Sequence, residues 1–233
     1  RELLKRLRMP QAVRDQLRAL PRRPVWIHAV SVGEVSLIKS FIVEWRRCYP
    51  AVPLVLSVVT PAGYECARAL YGEDIPLFYC PLDISSLVSG FSRVVDPLAF
   101  VAVETEIWPN LFTHMMRHDV PVVILNGRIS DRSWPQYERW AFLFRDILRN
   151  VAGVCAQDRT ARERFLKLGV AGDRCQVVGN LKFRSSVVDE KDQVAFRKRW
   201  PAFARRTVLL AGSTHHPEEE KVQHFLKEIV QSF

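Results

Sequence analysis

Short apolar runs alternate with helical patterns along most of this chain, and this alternation constrains the fold more than any other feature. Strands are predicted at 25–30, 54–59, 76–80, 99–103, 121–125, 152–156, 175–178 and 207–211. Helices are predicted near 34–48, 62–71, 84–91, 109–118, 135–149, 158–168 and 190–199. Almost continuously apolar strands are typical of parallel sheets whose two faces are both covered by helices. The pattern predicts an α/β fold with a Rossmann-like, doubly wound parallel sheet.

Polar residues follow most of the predicted strands at the point where each strand ends. In chain order these residues are Gly33 and Glu34, Thr60 and Gly63, Asp83, Glu104 and Glu106, Asn126 and Arg128, then Gln157 and Asp158. In a doubly wound sheet, ligands bind at the carboxyl ends of the strands, near the point where the strand order reverses. The sequence therefore predicts that six loops form one functional rim at this edge.

The composition changes after Phe183. A charged stretch with one short helical pattern comes first, and a new apolar run then leads into the turn Gly212-Ser213-Thr214-His215. Backbone amides in such a turn before a helix can hold an anion, although the turn could also be an ordinary helix entry. The predicted segments are a basic amphipathic segment at 1–24, a Rossmann-like domain at 25–183, a linker at 184–206 and the start of a second, truncated Rossmann-like domain at 207–233.

Positive charge is concentrated at the start of the chain. The net charge is +9, and residues 1–24 hold eight Arg or Lys but only two acidic residues. Leucine and valine recur there at helical spacing, at positions 3, 4, 7, 13, 17 and 20. A basic amphipathic segment is attracted to anionic lipid by about 1 kcal/mol for each nearby Lys or Arg. The alternative is a basic helix packed on the domain. Nucleic-acid binding is not predicted, because no recognition motif and no interleaved aromatic residues accompany the charge.

Several absent patterns narrow the chemistry. The five cysteines are widely spaced and form no Cys-x-x-Cys pair, so neither a disulfide framework nor a zinc site is expected. The sequence has no Asp-x-Asp, no G-x-G-x-x-G and no P-loop, which disfavours metal-dependent transfer and ordinary nucleotide-binding loops. No run of 18 apolar residues predicts a membrane span. We expect no bound metal and no cofactor.

Glu34 is a candidate for chemistry because it stands at the predicted junction of a strand and a helix. The helix dipole and free backbone amides at a helix start favour an ionised carboxylate. Such a carboxylate could act as a general base toward a substrate hydroxyl. It could equally be a simple helix cap, since acidic residues are enriched in first turns.

Glu104 and Lys182 are further candidates. Glu104 and Glu106 flank Thr105 after a buried strand, so one carboxylate could face the rim and the other the protein interior. A structural pair bonded to neighbouring amides or to Arg128 is the alternative. Lys182 follows a Gly-Asn turn, where it could hold a phosphate or a sugar carboxylate, or be an ordinary loop lysine.

The motifs, taken in chain order, resemble the 3-deoxy-D-manno-octulosonic acid (Kdo) transferases of Gram-negative lipopolysaccharide synthesis. The segments that carry the resemblance are HAVSVGE at 28–34, TPAG at 60–63, PLD at 81–83, ETEIWPNL at 104–111, NGRIS at 126–130, AQD at 156–158, RF at 164–165, LG at 168–169, GNLKF at 179–183 and GSTH at 212–215. Each motif is modest alone, and the ordered set is specific.

This resemblance implies a two-domain glycosyltransferase of the GT-B type. Its amino-terminal half would bind the lipid A precursor (lipid IVA), its other half would bind CMP-Kdo, and transfer would invert the anomeric centre without a metal. The resemblance assigns Glu34 as the catalytic base and gives Glu104 and Lys182 a role in stabilising the transition state. The implied substrate-binding residues are Ser31, Gly33, Thr60, Gly63, Arg128, Gly212, Ser213, Thr214 and His215.

The resemblance also implies a location, and two other interpretations fit the same motifs. The protein is expected on the cytoplasmic face of the bacterial inner membrane, peripheral or anchored at its amino terminus, with the basic segment against the anionic surface. One alternative is a GT-B transferase that uses another nucleotide sugar. The other is an acceptor-binding domain without turnover of its own.

Overall fold

The computed structural model describes residues 2–72, 74–183, 190–201 and 220. The chain divides into two compact units, Arg1–Ser186 and Val187–Phe233. In the second unit the described residues form one helix, α11 (Glu190–Arg199), with the bounds that the sequence predicts. The strand predicted at 207–211 and the turn predicted at 212–215 lie outside the described residues.

The described part of the first unit contains seven strands and ten α-helices. The strands are β1 (Val25–His28), β2 (Leu54–Val58), β3 (Leu77–Tyr79), β4 (Ala99–Val103), β5 (Val122–Gly127), β6 (Gly153–Ala156) and β7 (Cys175–Val177). The helices are α1 (Glu2–Leu7), α2 (Gln11–Arg18), α3 (Val32–Leu37), α4 (Lys39–Cys48), α5 (Pro61–Tyr71), α6 (Ser85–Val95), α7 (Pro109–Arg117), α8 (Trp134–Arg139), α9 (Ala141–Leu148) and α10 (Arg159–Lys167). Short 3₁₀ turns cover Gly172–Arg174 and Leu181–Phe183.

The strands form one sheet in the order β3-β2-β1-β4-β5-β6-β7, and all neighbouring strands run parallel. The chain builds outward from β1 to β3, then crosses back and adds β4 to β7 on the other side of β1. The strand order therefore reverses between β1 and β4, as in doubly wound Rossmann-like sheets, and the predicted fold class is confirmed. Because the strands are parallel, the loops that follow them meet at one edge.

Both faces of the sheet are buried. Trp26 and Ile27 are fully buried on opposite faces, because successive strand side chains alternate. Trp26 packs against the rings of Phe78 and Phe100, each with ring centroids 5.4 Å apart. Ile27 belongs to the cluster on the other face, with Leu56. This two-sided burial is why the strands are continuously apolar in the sequence.

Two of the predicted helices are interrupted. The helix predicted at 34–48 is divided at Ile38, and the helix predicted at 135–149 is divided at Trp140. The backbone ψ angles at these positions are −1° and 18°, away from the α-helical value of about −42°, so the regular helical geometry is interrupted there. Apolar periodicity continues across such a break, and the sequence pattern therefore does not reveal it.

The basic segment forms two helices that behave differently. Helix α2 buries Val13 and Leu17 against the core, as expected for a helix packed on the domain. Helix α1 leaves Leu3 and Leu4 59% and 67% exposed. No helix in the described part of the chain is both long and apolar enough to cross a membrane.

Helix α1 is attached to the loop edge of the sheet by its basic side chains. The Lys5 ammonium lies 5.5 Å from the centre of the Tyr79 ring, and the Arg6 Nε donates to the Cys80 carbonyl at 2.9 Å. The Arg6 guanidinium also lies 5.6 Å from the centre of the Trp108 ring. Since Tyr79 ends β3 and Cys80 follows it, α1 lies beside the rim where the strand-following loops meet.

Candidate active site

The two candidate carboxylates flank the point where the strand order reverses. Glu34 lies in the first turn of α3, just after β1, and Glu104 follows β4 directly. Strands β1 and β4 are neighbours, with His28 opposite Ala102. Crevices at such switch points are the usual ligand sites of doubly wound sheets. The sequence placed both residues at the same edge, and the strand order brings them to adjacent strands.

Glu34 is 7% exposed and accepts two hydrogen bonds. Its Oε2 accepts from the Val30 amide at 2.7 Å, and its Oε1 accepts from the Ser31 hydroxyl at 3.0 Å. Both donors come from the turn between β1 and α3. The carboxylate therefore closes this turn, as a cap would, and the two bonds also fix where its oxygens point.

The pKa of Glu34 is higher than its position in the first turn of a helix would suggest. Burial is the main cause that raises the pKa of Glu34 to about 7; the nearby carboxylates of Glu106 and Glu104 add to it, and the bonds from Val30 and Ser31 oppose it. Helix α3 has only six residues, so its dipole is a weak counterweight to desolvation. A carboxyl group with a pKa near neutrality is well suited to take up a proton as a general base.

Glu104 and Glu106 lie in a loop that turns sharply at the end of β4. Glu104 adopts a left-handed backbone with φ of 58°, and its amide donates to Leu125 O on β5 at 2.8 Å. Glu106 accepts from the Trp108 indole at 3.2 Å, and burial raises its pKa. The alternating side-chain direction of a strand does not continue to Glu106, because the strand ends at Val103.

Lys182 contacts this carboxylate cluster although it follows the strand at the far end of the sheet order. Its ammonium lies 3.8 Å from Glu104 Oε1, although it follows β7 at the end of the sheet. The Lys182 side chain is 54% exposed and that of Glu104 is 30% exposed, so the pair stands at the surface of the rim. The structure therefore brings Glu34, Glu104 and Lys182 to one site, while their predicted catalytic roles remain predictions.

The residues around the Glu34 turn are packed together. Thr60 caps α5 by accepting from the Gly63 amide at 3.1 Å, and its hydroxyl donates to Val30 O at 3.2 Å. A Cβ at Gly63 would lie 2.8 Å from Thr60 Oγ1 and 3.2 Å from Val30 O, so the helix start can approach the turn only as glycine. These contacts give Thr60 and Gly63 a structural role; their predicted part in substrate binding stays a prediction.

Gly33 and Arg128 are on the surface of the rim. Gly33 is exposed, and a Cβ there would meet nothing closer than Ser31 Oγ at 3.9 Å. Arg128 is also exposed, and its backbone amide donates to Thr105 Oγ1 at 3.3 Å. Both residues are therefore accessible to a substrate. The predicted binding residues Gly212, Ser213, Thr214 and His215 lie outside the described residues.

An aromatic groove adjoins the carboxylates. It has a volume of about 460 Å³ and is lined by Ser133, Gln136, Tyr137, Trp140, Leu143 and Phe144 of α8, α9 and the preceding loop. The Tyr137 hydroxyl donates to Thr105 O at 3.2 Å, which places the groove next to the Glu104–Glu106 loop. Trp140 and Leu143 are 41% and 55% exposed. The sequence does not predict this groove, because helical periodicity alone does not show which apolar residues stay exposed to solvent.

Asp83 and Asn126 connect loops of the candidate site by accepting hydrogen bonds from backbone amides. Asp83 accepts from the backbone amides of Asn110 and Leu111 at 3.0 and 2.8 Å, and so ties the loop after β3 to the start of α7. Asn126 is fully buried and accepts from the Leu181 amide at 3.0 Å. The sequence signal for both was their position after a predicted strand.

Within the described residues, no three His, Cys, Asp or Glu side chains are grouped to hold a metal ion.

The sequence matches a known protein family over most of its length. Residues 1–185 match the family described as 3-deoxy-D-manno-octulosonic-acid transferase (kdotransferase). The chain belongs to this family. The resemblance inferred from the ordered motifs is thereby confirmed.

Curated members and relatives of the Kdo transferase family share moderate identity with the chain. A 3-deoxy-D-manno-octulosonic acid transferase of Haemophilus influenzae is 30% identical over 202 residues, which cover 86% of this chain and 47% of the relative. A bifunctional glycosyltransferase/methyltransferase of Fusobacterium nucleatum is 33% identical over 210 residues, or 88% of this chain and 32% of the relative. The chain thus spans a third to a half of the length of these relatives.

Solved structures with a similar fold are more distant in sequence. A UDP-GlcNAc 2-epimerase from Neisseria meningitidis bound to UDP-GlcNAc matches with a TM-score of 0.56 and 10% identity, over 76% of this chain and 54% of that one. Another UDP-N-acetylglucosamine 2-epimerase matches with a TM-score of 0.53 and 14% identity, over 88% and 66% of the two chains. At such identity the likeness shows the Rossmann-like fold alone.

Gly127 has a packing role at the end of β5. It lies between Asn126 and Arg128. A Cβ at Gly127 would lie 2.8 Å from the ring of Phe165, which is fully buried on α10. Glycine therefore lets α10 pack closely on the end of β5 in this chain.

Proposed function

We propose that the protein to which this chain belongs transfers Kdo from CMP-Kdo to a lipid A precursor in lipopolysaccharide synthesis. Family membership over residues 1–185 supports Kdo transfer. The observation that carries the mechanism is the buried Glu34 at the switch point, whose pKa is raised to about 7 beside two further carboxylates. This chain supplies the acceptor-binding half of the enzyme and its catalytic base.

In this proposal Glu34 removes a proton from the acceptor. Its ionised carboxylate takes the proton of a sugar hydroxyl while that oxygen attacks the anomeric carbon of Kdo from the face opposite CMP. The bond from the anomeric carbon to the phosphate oxygen breaks, and CMP leaves with the electron pair. The configuration is inverted, and the proton ends on Glu34. The bonds from Val30 and Ser31 hold the carboxylate in place for this step.

Lys182 and Glu104 stabilise the transition state in the same proposal. The ammonium of Lys182, 3.8 Å from Glu104, supplies positive charge where the donor phosphate or the Kdo carboxylate would approach. Glu104 keeps the ammonium oriented and lies close enough to Glu34 to raise its pKa. No step requires a metal.

The acceptor in this proposal is amphiphilic, and apolar surfaces beside the rim support that choice. The aromatic groove of α8 and α9 adjoins the Glu104–Glu106 loop, and α1 presents Leu3 and Leu4 next to the end of β3. Acyl chains laid on such surfaces would leave the sugar hydroxyl near the carboxylates. In this proposal the enzyme lies on the cytoplasmic face of the inner membrane, with the basic segment toward anionic lipid.

Product analysis by mass spectrometry tests the proposed function. The full-length enzyme, incubated with CMP-Kdo and a tetraacylated lipid A precursor, should add the mass of one or more Kdo residues to the acceptor. Parallel reactions with other nucleotide sugars and with a deacylated acceptor should give little product. Transfer from a different nucleotide sugar at a comparable rate would contradict the donor assignment, and no transfer from any donor would contradict the enzyme assignment.

Membrane binding is a separate prediction from helix α1. The full-length enzyme should sediment with vesicles containing phosphatidylglycerol more than with neutral vesicles, and raising the salt concentration should weaken binding because charge attraction is screened. The double variant Leu3→Gln/Leu4→Gln should bind at least 10-fold more weakly, since burying each leucine contributes about 1.5–3 kcal/mol. Leu98→Gln, at a leucine that is 45% exposed outside the basic segment, is the matched control. Salt-independent binding that ignores Leu3 and Leu4 would contradict the prediction.

A further inference from the structure

The loop that follows β7 returns across the edge of the sheet. Strand β7 stands three strands away from β4 in the sheet, which corresponds to about 14 Å between strand axes. Lys182, five residues after the end of β7, nevertheless brings its ammonium to 3.8 Å from Glu104 Oε1. Something must therefore hold this return loop, residues 178–183, against the ends of the intervening strands.

Asn126 provides the hydrogen bond that holds the middle of the return loop. Its side chain is fully buried at the end of β5, and its Oδ1 accepts from the Leu181 amide at 3.0 Å. Leu181 immediately precedes Lys182. The orientation of the Asn126 amide is fixed by this contact, because the opposite orientation would place its NH₂ group against the Leu181 N–H.

The backbone at Asn126 is shaped for this contact. Its φ is 58°, in the left-handed region, and the pairing register of β5 with β6 shifts between Ile124 and Gly127. Such irregularities redirect a side chain out of the strand alternation, and asparagine tolerates left-handed angles better than most residues. The Asn126 carbonyl is held in turn by the Gln157 side-chain amide at 3.1 Å. Asn126 thus joins β6 and the return loop to β5.

We propose that Asn126 is a positioning residue for Kdo transfer, which holds the return loop so that Lys182 reaches Glu104. The proposal rests on the proposed function. Loss of the Asn126 acceptor leaves the Leu181 amide to water and lets the loop relax away from β5. The Lys182 ammonium then shifts relative to the reacting groups, and a displacement of about 1 Å can reduce turnover by up to 100-fold.

Two substitutions separate the acceptor from the backbone shape. Asn126→Gly keeps the left-handed angle without strain and removes the Oδ1 acceptor. Asn126→Asp keeps both an acceptor oxygen and tolerance of that angle. In the full-length enzyme, Asn126→Gly should lower kcat for Kdo transfer roughly 10- to 100-fold, with the KM for the lipid acceptor changed less than threefold. Asn126→Asp should restore at least a third of the lost turnover. Equal kcat for the glycine variant and the parent would overturn the proposal.

A double-mutant cycle distinguishes positioning from general destabilisation. If Asn126 acts through Lys182, Asn126→Gly should have little further effect on kcat in a Lys182→Ala background, because the group that it positions is already gone. A purely structural role for Asn126 would instead multiply the two losses. A loss in the double variant equal to the product of the two single losses would therefore overturn the proposal.

Hydrogen exchange tests the anchor without any turnover measurement. In the parent enzyme the Leu181 amide should exchange slowly, and Asn126→Gly should raise its exchange rate at least 10-fold while the amides of β1 keep theirs. Unchanged exchange at Leu181 would overturn the positioning role itself. Faster exchange at Leu181 in a protein that transfers no Kdo from CMP-Kdo would instead contradict the proposed function and leave the anchor in place.

Discussion

Replacing Glu34 by glutamine in the full-length enzyme should reduce Kdo transfer by roughly 10²- to 10⁴-fold, the usual contribution of a general base. Glutamine has nearly the shape of the protonated carboxyl group and can still accept from the Val30 amide, so the turn should stay closed. The parent kcat/KM should rise with pH up to about 7, where Glu34 loses its proton, and then level off. The residual activity of Glu34→Gln should lack this inflection.

The same substitution should stabilise the protein at alkaline pH. The folded-state pKa of Glu34, about 7, lies above its ordinary value of 4.5, so the folded protein binds a proton that the unfolded chain does not hold between these pH values. This contribution is complete below pH 4.5 and is lost as the pH rises through 7. The loss amounts to about 3 kcal/mol. Glu34→Gln should therefore be more stable than the parent at pH 8, by up to that amount, and nearly equal to it at pH 4.

Measurements of activity and stability together distinguish a catalytic base from a helix cap at Glu34. Glu44→Gln, which removes an exposed carboxylate that pairs with Arg47 on the surface of α4, is the matched control and should change neither quantity. Steady-state kinetics and thermal unfolding at pH 4 and pH 8 supply the measurements. Near-normal turnover by Glu34→Gln would contradict the base assignment. Reduced stability of this variant at pH 8 would show that the carboxylate acts mainly as a cap.

Replacing Lys182 by alanine should reduce kcat by roughly 10²- to 10³-fold, as expected for a group that stabilises charge in the transition state. Stability should hardly change. The Lys182–Glu104 pair is about half exposed on the lysine side, and exposed ion pairs contribute about 0–1 kcal/mol. A large kinetic effect with a small structural effect is the signature that separates a functional lysine from an ordinary loop lysine.

Lys167 offers a control for the Lys182 substitution. It is an exposed lysine in the last turn of α10, with its ammonium 5.6 Å from the centre of the Trp134 ring. Lys167→Ala should leave Kdo transfer within about twofold of the parent rate. A drop of less than threefold for Lys182→Ala, or an equal drop for both variants, would contradict the assignment.

Much of the fold was predictable because its signals are local. Almost continuously apolar runs such as 54–59 predict strands buried on both faces, and the predicted bounds of 99–103 for β4 and 190–199 for α11 match the structure. The interruptions at Ile38 and Trp140 were not predictable. They depend on how each half of the helix packs against the core, which helical periodicity does not indicate.

The sequence indicated which residues form the candidate site better than it indicated their pKa values and contacts. It placed Glu34 and Glu104 at one edge, because each follows a strand of a parallel sheet, and it joined Lys182 to them only through the family resemblance. It did not show the raised pKa of Glu34, because burial beside Glu104 and Glu106 depends on tertiary packing. It also gave Asn126 no role, because the partner of its side chain lies 55 residues away along the chain.

The sequence by itself determined the class of fold, the edge of the sheet where the candidate site lies, and the family. These follow from the hydrophobic period and from ordered motifs, which are written along the chain. The tertiary structure decided which strands are neighbours, and thereby put Glu34 and Glu104 on either side of the switch point. It also decided how Lys182 returns from β7 and how far Glu34 is desolvated, because both depend on packing between segments that are distant in sequence.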